Sequence, residues 1–81
     1  MQLKIITPEE QLFEGEIKLI QVPGKKGAFE VLKNHAPIIS TLVKGKVKVV
    51  KPDGEKQFFD IPGGVIQVKQ NNIIVLTEMS M

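Results

Sequence analysis

The sequence contains no cysteine, tryptophan, tyrosine or arginine, and only one histidine among its 81 residues. Without cysteine there can be no disulfide and no thiolate metal ligand, so apolar packing must hold the fold together. All eleven cationic side chains are lysines, which lack the planar fork with which arginine grips phosphates and base edges. The net charge of +2 therefore indicates a mildly basic chain more than a nucleic-acid binder.

Long hydrophobic runs are also missing. The longest unbroken apolar stretch covers residues 73 to 76, whereas a membrane-spanning helix needs about 18 residues or more. The opening "MQLKIITPEE" soon turns acidic and predicts no signal peptide, so we expect the protein to stay in the compartment where it is made. The length and the 42% hydrophobic content fit one folded domain over residues 1–81.

What the sequence does have is a period of two residues along nearly its whole length. Segments rich in β-branched residues are separated by the turn formers of "PGKKG", "KPDGEK", "IPGG" and "KQNN". This pattern predicts an antiparallel sandwich or barrel with little or no helix. The predicted strands cover residues 2–7, 16–22, 28–32, 37–42, 45–51, 56–61, 64–69 and 72–77.

Several of these strands carry adjacent apolar residues, for example Val49-Val50 and Phe58-Phe59. Neighbouring residues of a strand point to opposite faces, so one member of each pair must point away from the core. The surplus apolar side chains must be covered either by bulges that reverse a face or by a partner protein, and we expect both.

His35 is the one residue that could indicate catalysis. A zinc site needs three or four ligands, and one histidine without cysteine leaves only scattered carboxylates. A nucleophilic pair would need Ser40 or Ser80 against His35 together with an orienting acid, and no local motif suggests one. A structural or interface role is favoured, since a neutral imidazole readily forms hydrogen bonds in a loop. We therefore expect no catalytic residue, no metal and no enzyme.

Two lysine-rich features raise nucleic-acid binding as an alternative function. "GKKG" at residues 24–27 resembles the Gly-x-x-Gly loop of KH domains, but that loop joins helices and both flanks here are predicted strands. Lys44, Lys46 and Lys48 share one face of a predicted strand and could follow a phosphate backbone. A tight hairpin and a solvated, aggregation-blocking face are the simpler interpretations. Stacking aromatics are scarce, since the chain has four phenylalanines and no tyrosine or tryptophan.

Taken in order, three stretches resemble the ε subunit of the F-type ATP synthase. They are "LKIITPEEQLFEGEIKLIQV" (3–22), "VPGKKGAFEVLKNHAPIISTLVKGKVKVV" (22–50) and "IPGGVIQVKQNNIIVLTE" (61–78). Family features are a Gly-x-x-Gly loop, a His-x-Pro unit, a strand ending near glycine, and a Gly-Gly-x-x-x-Val unit before an apolar last strand. The resemblance covers essentially the whole chain.

The resemblance implies a ten-stranded β-sandwich of two five-stranded, mostly antiparallel sheets. It also implies a non-catalytic central-stalk subunit of a proton- or sodium-translocating ATP synthase, binding the γ subunit and the c-ring so that ion translocation drives ATP synthesis. No cofactor and no nucleic acid are implied. The subunit would be peripheral, on the cytoplasmic face of the inner membrane, and associated with that membrane only through the complex.

Carried over by position, the resemblance also assigns contact residues. It places Thr7, His35 and Ser40 against γ, and a loop against the c-ring: Lys25, Lys26, Gly27, Ala28, Phe29 and Glu30. The family's acidic contact position is Ala28 here. Residues two apart in an extended segment share a face, so we expect Glu30 to supply the carboxylate instead.

The family usually continues into a C-terminal helical hairpin, whereas this sequence ends after one domain. In the family that hairpin extends to inhibit ATP hydrolysis, and in some members it binds ATP. We therefore expect a short form that is not regulated by a moving C-terminal arm.

Overall fold

The computed structural model describes residues 1–78. These residues form seven strands and no helix, which confirms the expectation of an all-β chain. The strands are β1 (Gln2–Ile6), β2 (Gln11–Glu16), β3 (Leu19–Gly24), β4 (Gly27–Val31), β5 (Ile38–Val50), β6 (Lys56–Lys69) and β7 (Asn72–Thr77).

All seven strands belong to one hydrogen-bonded sheet, in the order β2-β1-β7-β6-β5-β3-β4. Only β1 and β7 run parallel, and every other pairing is antiparallel. The hairpins turn where turn residues were predicted: at Lys25-Lys26, at Pro52 to Gly54, and at Gln70-Asn71. The mostly antiparallel arrangement is therefore confirmed.

The two long strands change face halfway along, and this lets a single sheet fold over itself. In β5 the buried positions change from Leu42 to Val47 and Val49, which shifts the parity by one residue. In β6 they change in the same way, from Ile61 to Ile66. The pairing skips Lys44 and its neighbour Pro62 between the two halves. Each of the two strands therefore points side chains into the core in both halves of the fold.

The core lies between the two halves of the folded sheet. Within residues 1–78 it consists of fourteen buried aliphatic side chains. Thirteen of them belong to strands, and the other is Ile17, which lies between β2 and β3. The ring of Phe13 in β2 packs edge-on against Phe59 in β6, with centroids 6.0 Å apart, and both rings are partly buried against the core. That contact joins β2, at one end of the sheet, to a strand three places away in the sheet order.

The expected ten strands in two five-stranded sheets are not observed. Two predicted boundaries, at residues 43–44 and at "IPGG", are kinks within the continuous strands β5 and β6. The backbone pairing continues across them because both strands change direction together, Val43 lying opposite Gly63 and Gly45 opposite Ile61. Strand β2 was not predicted, since "QLFEGE" combines two glutamates and a glycine that β-propensity disfavours.

Candidate interaction surfaces

Four large aliphatic side chains lie exposed on one outer face of the sheet. We call this the outer apolar face, defined by Ile39, Val43, Val65 and Leu76. Val65 lies directly opposite Leu76 on one side and Thr41 on the other. Ile39 is 76% exposed and Leu76 is 52% exposed. Large aliphatic groups clustered on one surface are typical of a protein contact.

The origin of this face is visible in the sequence. Each member stands beside an apolar residue that points inward: Val43 follows the buried Leu42, Val65 precedes Ile66, and Leu76 follows Val75. A strand exposes one residue of every such pair on its outer side. The doubly apolar stretches therefore predicted a covered outer surface, although they did not indicate which residues would share it.

The predicted c-ring loop is the β3–β4 hairpin at the edge of the sheet. Lys25 and Lys26 form its turn, and Gly24 pairs with Gly27 at its end. Between this hairpin and residues 39–41 of β5 lies an open cleft of about 560 Å³. Five of the six residues assigned to the loop line this cleft, and the sixth, Glu30, lies one residue beyond its lining.

The side chains of β4 alternate as the sequence predicted. Phe29 is half-buried and Val31 is buried, whereas Ala28 and Glu30 are exposed. Ala28 lies opposite Pro23 and Glu30 lies opposite Gln21. Ala28 and Glu30 therefore share the outer face of β4, which confirms the geometric part of the argument for Glu30. Contact with a partner stays a prediction.

Thr7, predicted to face γ, has its side chain engaged inside the protein. It is 5% exposed, and its hydroxyl donates to the Glu10 carbonyl while accepting from the Glu10 amide, both at 2.9 Å. The same two residues form a backbone hydrogen bond of 2.8 Å. Thr7 thus closes the turn between β1 and β2. A role against γ stays a prediction, and it would have to act through this turn.

His35 lies in the loop between β4 and β5 and is half-buried. Its backbone amide donates to the Leu32 carbonyl at 3.1 Å. Its Nδ1 lies 2.7 Å from the Ala36 carbonyl oxygen, which can only accept, so Nδ1 carries the proton. These bonds fit the predicted anchoring of a loop. Contact with γ is again a prediction.

A pair of asparagines ties this loop to the β6–β7 hairpin. The backbone N–H of Asn34 donates to Asn71 Oδ1 at 2.7 Å, and the side-chain Nδ2 of Asn71 donates to Asn34 Oδ1 at 3.2 Å. Both residues have positive φ, 67° and 62°, a conformation that asparagine tolerates better than most residues. Sequence reasoning missed this pair. The turn former "KQNN" predicted the hairpin but gave no indication of its partner.

The three predicted γ contacts do not form one cluster. Thr7 follows the end of β1, beside the end of β7, whereas the His35 loop is bonded to the turn that starts β7. Through the β7–β6 and β6–β5 pairings, the end of β7 near Thr7 aligns with Leu42 of β5, and the start of β7 near the His35 loop aligns with Ile38. Leu42 and Ile38 are roughly 13 Å apart at strand spacing. Ser40 lies between them and lines the hairpin cleft. Any partner touching all three must therefore cover the length of the strands.

The lysine stripe that suggested nucleic-acid binding is broken by an acid. Lys46 forms an ion pair of 3.0 Å with Asp60 on the neighbouring strand. Lys48 faces the exposed ring of Phe58, and Lys44 lies in the kink where the pairing skips a residue. A phosphate-tracking surface needs several free cations in a row, and this strand does not present them.

Residues 1–78 contain no helix that could span a membrane. Within the same residues, no group of three or more histidine, aspartate or glutamate side chains is arranged to hold a metal ion.

Comparison with known proteins gives the family. Residues 1–80 match the model of the ATP synthase delta/epsilon chain, beta-sandwich domain. The ATP synthase epsilon chain of Chlorobaculum tepidum is 43% identical over 76 residues, which cover 94% of this chain and 86% of that one. The epsilon chain of Caulobacter vibrioides is 41% identical over 78 residues, covering 96% and 90%.

Solved structures agree on the fold. A chain of the Euglena gracilis mitochondrial ATP synthase, solved as OSCP/F1/c-ring, superposes with a TM-score of 0.89 at 22% identity. One from the central stalk/c-ring of the Tetrahymena thermophila enzyme gives 0.80 at 16% identity. Each match covers 98% of this chain, but 51% of the Euglena chain and 63% of the Tetrahymena chain. With the family model matching nearly every residue, this chain belongs to the ATP synthase delta/epsilon family, as its beta-sandwich domain.

Proposed function

We propose that this chain is a central-stalk subunit of a rotary F-type ATP synthase, where it binds γ and the c-ring and couples ion translocation to ATP synthesis. The observation that carries the proposal is the family match over residues 1–80, and the exposed outer apolar face supplies a surface for assembly. The subunit is a mechanical coupling part and performs no chemical step. It is peripheral, on the cytoplasmic face of the inner membrane, and held there by the complex.

The outer apolar face is the surface for γ. Burying an aliphatic side chain completely is worth about 1.5–3 kcal/mol. Leu76 is already about half covered, being 52% exposed, so covering the remainder is worth about 0.8–1.5 kcal/mol. Several such side chains side by side give a stable, weakly salt-dependent contact, since apolar burial is little affected by ionic screening.

Binding of γ to two matched variants tests this assignment. Leu76→Ala should weaken binding by about 4- to 12-fold, the equivalent of the buried area lost. Phe58→Ala is the control, because Phe58 is exposed to a similar extent, 55%, but is not part of the outer apolar face. It lies in the half of β6 before the kink, where the even-numbered residues point outward. This control should leave affinity within about twofold, a difference below 0.5 kcal/mol. Equal losses in both variants would remove the assignment, and circular dichroism would check that each remains folded.

The three positional assignments to γ belong to the same proposal. Ser40 is the third residue of β5, between Ile39 of the outer apolar face and Thr41. Thr7 and His35 fix the loops at the two ends of this region through the hydrogen bonds described above. His35→Ala should loosen γ binding or lower stability by about 1 kcal/mol, the scale of one hydrogen bond. A lost chemical step with γ binding intact would instead indicate catalysis.

The β3–β4 hairpin is the surface for the c-ring. Its turn carries Lys25 and Lys26, and the face shared by Ala28 and Glu30 is exposed. Glu30 presents its carboxylate on the side where the family's acidic contact residue would lie, so we assign it that contact. An exposed ion pair contributes only about 0–1 kcal/mol. The contact therefore fixes the position of the hairpin on the c-ring more than it contributes to binding affinity.

Disulfide formation with cysteines in the polar loop of the c subunit tests this second surface. Single cysteines at Ala28 and Glu30 should cross-link, and a cysteine at Asp53 is the control. Asp53 lies in the turn between β5 and β6 and is exposed like the hairpin residues. Comparable yields at Asp53 and in the hairpin would exclude the hairpin as the contact site.

Binding of nucleic acid has no observation in its favour. Phosphate binding should weaken steeply as ionic strength rises, and Lys46 is already paired with Asp60. A salt-sensitive affinity for DNA or RNA in the micromolar range would reopen that alternative.

A further inference from the structure

Besides its two end strands, the folded sheet leaves one side of the first part of β5 without a strand partner. At its end β3 pairs with β5 at Gly24 and Leu42, and the hairpin then turns away. Residues Ile38 to Thr41 of β5 continue to pair with β6 on one side. On the other side they face the cleft of about 560 Å³ beside the hairpin. Among residues 1–78 no strand pairs with this stretch on its cleft side.

The direction of the backbone groups along this edge follows from one hydrogen bond. The Lys25 amide donates to the Thr41 carbonyl oxygen at 3.3 Å, so the peptide groups of Thr41 point toward the cleft. In a strand the N–H and C=O of residues two apart point to the same side. The N–H and C=O of Ile39 therefore also point into the cleft, and those of Ser40 point toward β6.

This edge differs from the two end strands in its side chains. Strand β2 carries two glutamates, and β4 carries Glu30 beside the lysines of its turn. Charges of this kind keep sheet edges from pairing with other chains. Residues 38–43 read "IISTLV" and contain no charge. Among residues 1–78, Ile39 is the most exposed large hydrophobic side chain, at 76%. An uncharged edge with exposed aliphatic groups is suited to receiving a strand.

We propose that this edge of β5 binds an extended segment of the γ subunit, which adds to the sheet as a further strand. The inference rests on the proposed function, and it specifies how the partner is held: by backbone hydrogen bonds to Ile39 and by an apolar side chain packed over it. Such strand addition takes its affinity from main-chain bonds and its specificity from alternate side chains. Ile39 belongs to both the edge and the outer apolar face, so one partner can cover both without a gap.

A second copy of the chain is a poorer occupant. Each copy carries its own hairpin beside the edge, with Lys25 and Lys26 at the turn. Pairing two such edges would bring two hairpins of the same charge toward one cleft, and juxtaposed like charges oppose association. A γ segment need carry no such charge.

The test compares two substitutions at one residue in binding to the γ subunit. Ile39→Ala removes most of the side chain and keeps the N–H. Ile39→Pro also removes the N–H, which proline tolerates at a strand edge facing away from the ladder. We expect Ile39→Pro to weaken binding by about 2- to 12-fold more than Ile39→Ala, corresponding to one hydrogen bond. Equal affinities for the two variants would overturn the proposal.

Hydrogen exchange on the unmodified protein gives a second measurement, which does not depend on whether the Ile39→Pro variant folds. The Ile39 amide should exchange rapidly in the free chain and slowly in the complex with γ, whereas the Ser40 amide, which points toward β6, should be protected in both. An Ile39 amide that stays rapid in a tight complex would contradict strand addition while leaving the stalk assignment intact. Sedimentation that shows a dimer of the free chain with Ile39 protected would overturn the γ segment in favour of a second copy. Failure of γ to bind the unmodified chain would remove both proposals.

Discussion

Gly64 occupies the position where the backbone of β6 leaves least room for a side chain. Its φ is +154°, in a region that is essentially restricted to glycine. A Cβ at this position would collide with the carbonyl oxygen of Leu76 and would lie 3.2 Å from Cβ of Thr77. The collision is with the backbone of the paired strand, so no rotamer change can relieve it. Gly64→Ala should therefore force β6 and β7 apart.

The magnitude follows from two contributions. A backbone held in a sparsely populated region costs about 1–3 kcal/mol, and overpacking a tight site costs about 1–3 kcal/mol more. The sum of about 2–6 kcal/mol is large beside the roughly 4–12 kcal/mol by which a chain of this length is stable. The melting temperature should fall by at least about 8 °C, since a domain of this size loses about 4 °C or more per kcal/mol.

Urea unfolding followed by far-ultraviolet circular dichroism measures the loss, because a chain without tryptophan or tyrosine gives no useful intrinsic fluorescence. Gly15→Ala is the matched control. A Cβ there would meet only the Phe13 ring, at an ordinary 3.7 Å, so stability should change by no more than about 1 kcal/mol. If Gly64→Ala lay within 1 kcal/mol of the unmodified protein, or if Gly15→Ala were equally destabilised, the steric argument would be wrong.

Three further substitutions should follow the hydrogen bonds and charges, each measured by the same unfolding assay. Thr7→Val should cost about 1–3 kcal/mol, because it removes both part-buried hydrogen bonds between the Thr7 hydroxyl and the Glu10 backbone; no loss would show that water replaces the hydroxyl. Asn71→Gly keeps the positive φ but deletes both bonds to Asn34, and should cost about 0.5–1.5 kcal/mol; unchanged stability would contradict their role. Asp60→Asn removes an exposed ion pair and should change stability by less than about 1 kcal/mol; a larger loss would show that the pair is not simply solvated.

The sequence predicted the hairpins well and the strand boundaries at the kinks poorly, for a physical reason. "PGKKG", "KPDGEK" and "KQNN" reverse the chain because their residues have no strand partner beyond the turn. "IPGG" contains equally strong turn formers, yet β5 continues to pair with it on both sides of Pro62. Whether glycine and proline break a strand or only bend it depends on that long-range pairing, which one sequence does not reveal.

The residues of the candidate interaction surfaces also differ in whether the sequence alone could predict their placement. Alternation along β4 was sufficient to place Ala28 and Glu30 on one face, because two-residue periodicity is local. The burial of Thr7 was not predictable, since its hydroxyl is occupied by Glu10 only once the turn has formed. The membership of the outer apolar face also depends on register, because Val65 and Leu76 are eleven residues apart in sequence and meet only through the β6–β7 pairing.

The two kinks decide which apolar residues form the core and which form the contact surface. If β5 kept one parity from Leu42 onward, Lys48 would point inward and Val47 and Val49 would face solvent. Burying a lysine without a partner is strongly unfavourable, so the parity shift is what makes the second half of β5 compatible with a core. The matching shift in β6 buries Ile66 and leaves Val65 exposed. The same backbone feature that closes the sandwich thus creates the outer apolar face, and substitutions at the kink should disturb stability and partner binding together.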